Sequence, residues 1–203
     1  MGGIGGSYSE DRLQELVEMA TTQLTRQMAA CISNALELLP RPIVGSCRAL
    51  SLVLHESPDD PMEFRIELRA TTESQVLAVE RAGISVAEAQ WSLDHWIDIV
   101  LWDFDCVEPG ANIERHTRNW AIAELAAFGH PPSGDASFAH RIRHMLGGVG
   151  ANLHQSGAIE RVFGKNLPII VQGELYDEWA KEMTAHANPW ATKTERRKWF
   201  VAS

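Results

Sequence analysis

The sequence predicts an α+β fold, with helices packed on a small, mostly antiparallel sheet in a single domain. Three observations predict it. A stretch from Ser9 to Leu39 repeats apolar residues every three or four positions. Two alternating runs then flank the turn ESPDDP. The second half of the chain shows two helical stripes and one short apolar run, LPIIVQ. Helices and strands that segregate along a chain in this way form layers around one core.

The first helix carries Leu13, Leu16, Val17, Ala20, Leu24, Met28, Cys31, Ile32, Ala35, Leu36 and Leu39 as one amphipathic stripe. Ser7 or Ser9 suits its N-cap, Glu10 and Asp11 favour its first turn, and Pro40 and Pro42 end it. Leu50, Leu52 and Leu54 then alternate with Ser51 and Val53. Phe64, Ile66 and Leu68 alternate with Arg65 and Glu67. The second run reads as a half-exposed strand of an antiparallel hairpin, with Phe64, Ile66 and Leu68 inward and Arg65 and Glu67 outward. Thr72 with Gln75 forms a capping-box pattern for a short helix closed by Gly83, and Ser85 with Glu88 repeats the pattern. Residues 91–107 fit a strand or a helix equally well. Helices over about 112–128 and 135–155, a buried strand in LPIIVQ and a helix over about 175–187 complete the order.

At 203 residues, with 45% hydrophobic and 22% charged, the composition is that of one globular domain with its own core. We divide it into a leader over 1–8, a domain over 9–190 and a basic tail over 191–203. No apolar run is long enough to cross a bilayer, and the opening MGGIGGSYSEDR has no basic n-region or apolar h-region. Cys31, Cys47 and Cys106 are odd in number and widely spaced, which reads as reduced thiols in the cytoplasm.

Charge is unevenly distributed. The net charge is −9, and residues 82–113 hold Glu88, Asp94, Asp98, Asp103, Asp105 and Glu108 without a single Lys or Arg. An acidic body repels phosphate backbones and headgroups, so neither nucleic acid nor a membrane is the expected partner.

Most motifs that suggest chemistry fail on context. His140 and His144 have the four-residue spacing of a helical metal clamp. Arg-Ile-Arg lies between them, and they point away from the Phe138–Leu153 stripe, so we read them as solvated. Gly157 to Lys165 precedes a strand instead of following one, which is wrong for a phosphate loop. Gly147, Gly148 and Gly150 lie in a helical pattern and read as sites of close packing. Asp103 and Asp105, with His95 and Asp98 close in sequence, are a minimal set for a metal-dependent hydrolase, though a solvated acidic loop accounts for them as well. No cofactor, metal or catalytic residue is assigned.

The unusual feature is aromatic. Trp91, Trp96 and Trp102 fall inside the stretch that has only acids. Tryptophans rimmed by carboxylates suit a surface for a basic protein partner. The partner-binding candidates are therefore Trp91, Asp94, Trp96, Asp98, Trp102, Asp103, Asp105 and Glu108. The tail TKTERRKWFVAS reads as a frayed end or a dock onto the protein's own surface.

The order ALSLVLH, FRIELRATTES, the pair Trp91 and Trp96, NWAIAELAAF and LPIIVQGELYDEW…ANP resembles the bacterial domain-of-unknown-function family numbered 4303, over about residues 10–190. Where that family's last strand leads into an Asp, this chain has Gly173-Glu174, and the basic tail is its own. The resemblance implies no catalytic residues. It implies small bacterial cytoplasmic proteins, some of which look like immunity proteins of contact-dependent toxin systems. The expectation is thus an immunity-like binding protein that neutralises a basic toxin. The alternatives are a metal-dependent hydrolase, or a self-associating module in which some of the seven tryptophans form a homodimer face.

Overall fold

The computed structural model describes residues 10–56, 64–84, 100–103, 113–129, 138–173 and 178–199. Among them are eight helices and four strands in an α+β arrangement. The order is α1 (Glu10–Glu37), α2 (Arg41–Ser46), β1 (Cys47–Glu56), β2 (Phe64–Thr72), α3 (Glu73–Arg81) and β3 (Val100–Asp103). Then follow α4 (Ile113–Phe128), α5 (Phe138–Gln155), α6 (Ala158–Phe163), β4 (Ile169–Gly173), α7 (Glu178–Ala187) and α8 (Lys193–Lys198). The sheet runs β3-β2-β1-β4. Its β1–β2 and β2–β3 pairs are antiparallel, and β4 lies parallel to β1, from Leu50 opposite Ile169 to Leu54 opposite Gly173. The excursion between β1 and β4, through β2, β3 and four described helices, gives the chain room for that parallel return.

Val17, Leu24, Met28, Ile32 and Leu36 bury one face of α1, as the stripe predicts. The helix stops two residues short of Leu39. Leu38 and Leu39 donate to Ala35 and Leu36 carbonyls at 3.2 Å, tightening the last turn, and Pro40 then caps α2. On α1, Thr21 Oγ1 donates to Val17 O at 2.8 Å and accepts from Trp120 Nε1 at 3.0 Å, tying α4 to α1 through a buried tryptophan.

The hairpin forms as predicted, and Leu50, Leu52, Leu54, Ile66, Leu68 and Ala70 join α1, α5 and β4 in the main core. The reading of Glu67 as solvent-facing is overturned, because Glu67 is only 4% exposed. A second cluster of Ala49, Ile170, Ala191 and Trp199 covers part of the sheet's other face. Strand alternation separates two faces but does not reveal whether the polar one is wet. Here the tail turns back on it, and α8 is fixed by a Thr192–Glu195 capping box. The side chains of Phe64 and Arg65 lie outside the described residues.

The Thr72–Gln75 capping box is present, with Thr72 N donating to Gln75 Oε1 at 2.7 Å. The Ser85–Glu88 pattern lies outside the described residues. Close packing explains the glycines of α5. A Cβ on Gly150 would stand 2.5 Å from that of Ala187 on α7, so only glycine allows these helices to meet there. Gly157 and Gly164, at φ 71° and 68°, bracket α6 as its two caps, consistent with the rejection of a phosphate loop.

Helix α7 also closes the sheet's edge. Asn188 Oδ1 accepts from Ile169 N at 2.8 Å, while its Nδ2 donates to Ile169 O and to Thr184 O at 2.7 Å each. Two residues along the strand, Val171 N donates to Thr184 Oγ1 at 2.9 Å. Both side chains are fully buried and occupy the place of a fifth strand. Among the described residues no helix is long and apolar enough to cross a membrane.

Candidate functional site

The second face of the sheet gathers four of the buried polar side chains among the described residues, Ser51, Glu67, Thr71 and Gln172. Along β2, Glu67, Arg69 and Thr71 alternate onto this face. Ser51, Val53 and His55 share it from β1, and Ile170 and Gln172 from β4, because their partners in register do. Arg69 donates Nε at 2.9 Å and Nη2 at 2.6 Å to the same oxygen, Glu67 Oε2. His55 Nε2 stands 3.2 Å from that oxygen. Burial by itself would push Glu67 up, but the Arg69 guanidinium and His55 together outweigh it. The carboxyl therefore sits below the ordinary glutamate range.

The arrangement fixes a carboxylate between a guanidinium and an imidazole. His55 Nε2 is buried and, despite its proximity, makes no hydrogen bond, so the carboxylate does not hold the ring as an acid–base dyad would. The nearest hydroxyl on β1 is already used, since Ser51 Oγ donates to Ile170 O at 3.0 Å. Thr71 Oγ1 and Gln172 Oε1 are buried on the same face without a hydrogen-bond partner. The contrast is Glu124, 1% exposed beside Arg141, with Nη1 2.8 Å from Oε1. There burial outweighs the guanidinium and pushes the carboxyl up.

At the edge of this face the tail is held by an aromatic latch. Trp190 Nε1 donates to His154 Nε2 at 3.1 Å, and the Trp190 and Trp199 rings lie 6.1 Å apart. Indole only donates, so His154 Nε2 carries a lone pair and Nδ1 the proton, toward Asn166 Oδ1 at 3.4 Å. Burial pushes the imidazole below its usual range, against the smaller upward pull of Asn166 and Asn188. A histidine whose folded value is depressed contributes stability above its unfolded value, and that stability is lost as pH falls. The thermal midpoint of the chain should therefore fall from about pH 7 to pH 5, and His154→Gln should flatten that slope. An identical slope in the variant would remove His154 from the latch.

Of the residues singled out in the sequence, Trp102 and Asp103 lie in β3, opposite Leu68 and Glu67 in the register. Trp91, Asp94, Trp96, Asp98, Asp105 and Glu108 lie outside the described residues, as do His95 and Cys106. Cys47 and Cys31 are free. Burial pushes Cys47 up to about 12, with Lys165 pulling weakly the other way, and raises Cys31 too, so neither is a thiolate nucleophile. Among the described residues no group of three or more His, Cys, Asp or Glu is placed to hold a metal ion. An open groove of about 520 Å³ between α1, α2 and α6 is lined by Leu36, Leu39, Val44 and Val162. Arg161 and Glu37 pair across its rim at 3.1 Å.

The set of His55, Glu67 and Arg69 was missed in the sequence because alternating charges on a strand read as a solvated face. The usable signal was Glu67 and Arg69 two apart, opposite in sign and on one face. No family model, curated protein or solved structure matches this chain.

Proposed function

We propose that the protein is an immunity-like binding factor that masks a basic protein partner in the bacterial cytoplasm. The observation that carries this reading is the charge distribution: six acids, three tryptophans and no Lys or Arg over residues 82–113, in a chain of net charge −9. Strand β3 lies within that stretch, so part of the acidic segment is anchored to the sheet and set beside Glu67. An anchored acidic segment steers a cationic partner and speeds the encounter without requiring chemistry of its own.

The test uses the product of the gene adjacent to this one, co-expressed and purified with it, and an Asp103→Asn/Asp105→Asn double variant. The wild-type association rate should fall steeply with salt, and the double variant should associate roughly tenfold more slowly with a flatter salt dependence. Its thermal midpoint should stay the same or rise, because neutralising two of six mutually repelling acids relieves strain in the free protein. A lower midpoint with an unaltered rate, or no complex at all, would sink the reading.

A further inference from the structure

His140 and His144 sit one turn apart on α5, and their rings meet. The Nε2 atoms are 3.1 Å apart and the ring centroids 4.7 Å. Two imidazole nitrogens come this close when one donates its proton to the other, or when both lone pairs converge on a cation. An ion bound about 2.0–2.1 Å from each nitrogen, at an angle between square and tetrahedral, separates them by about 2.9–3.4 Å. The pair already stands within that range.

Helix α7 contributes to the same rim. A Cβ on Gly147 would lie 3.2 Å from His186 Nδ1, so His186 packs over α5 one turn beyond His144. His144 itself is exposed and His140 half-buried, so an ion can reach them from solvent.

We infer that His140 and His144 form an open two-histidine site for a borderline divalent transition ion such as zinc or nickel. Imidazole pairs select these ions over magnesium or calcium, which require oxygen donors. Two protein ligands leave most of the coordination shell open, which makes the ion exchangeable instead of a structural staple.

The experiment is calorimetric titration of the full, untagged chain with zinc chloride and with nickel chloride at about pH 7.5. One equivalent should bind in the micromolar range. His140→Asn and His144→Asn should each weaken binding at least about tenfold, equal to about 1.4 kcal/mol or more. Their metal-free thermal midpoints should stay close to the wild type, since His144 is exposed and His140 only half-buried. Magnesium should give no heat. Binding that survives in the doubly substituted chain would assign the ion to others of the eight histidines and overturn the site. So would the absence of heat with either metal.

Discussion

Asn188→Ala should lower stability by about 3 kcal/mol or more, equivalent to a fall of roughly 6–12 °C in thermal midpoint for a chain of this size. The side chain is fully buried and makes three hydrogen bonds, two of them to the amide and carbonyl of Ile169 on the outer edge of β4. Alanine removes the partner and leaves both backbone groups buried. Each unpaired group costs about 1–3 kcal/mol, well above the net value of a hydrogen bond made in place of water. Thr184→Val is the milder companion. It keeps the volume and loses the acceptor of Val171 N together with the longer bond, 3.4 Å, that Thr184 Oγ1 donates to Val171 O, so about 1–2 kcal/mol is expected. Amide exchange locates the effect: Ile169 should lose protection in the first variant and Val171 in the second, with Leu52 little changed in either. A loss spread evenly over the sheet would mean that α7 supports β4 by packing alone.

The reason that edge could not be read in advance lies in what sequence patterns encode. Asn188-Pro189 looks like a helix stop, and it is one, since α7 ends at Ala187. Its second role, hydrogen bonding a strand about twenty residues earlier, depends on tertiary placement that no local spacing reveals. Periodicity worked where one face meets one core. It found the α1 stripe, the hairpin with Leu52 opposite Leu68, and the α5 stripe around Leu146 and Val149. The capping box at Thr72 was legible because its two side chains lie three residues apart. The parallel strand was found as LPIIVQ, but its direction was not, because a buried run looks the same in either direction. The polar face of the sheet was misread for a related reason. Arg69 and His55 flank Glu67 only in the folded sheet, and Trp199, which covers Ala49 and Ile170 on the same face, is 130 residues away from Arg69 along the chain.

Glu67 is the buried charge of the described sheet, 4% exposed between Arg69 and His55. Glu67→Ala should cost about 3–5 kcal/mol, because it removes one member of a buried ion pair with Arg69 and leaves a cavity in its place. Replacement by a polar group of the same shape, Glu67→Gln, should cost less than alanine and more than a surface change, which normally stays within about 0.5 kcal/mol. The pH dependence follows from the direction of the shift. The folded carboxyl is held below its unfolded value, so its contribution is fully present above the unfolded value and is lost as pH falls through the folded one. The wild type should therefore lose stability below about pH 5, and both variants should lose less over the same interval. Denaturant unfolding of the three chains at pH 7 and pH 4 separates the two readings of this face. A penalty confined to pH 7 and shrinking at pH 4 identifies a buried ion pair. A penalty of the same size at both pH values would mean that Glu67 matters for its volume, with the charge compensated elsewhere.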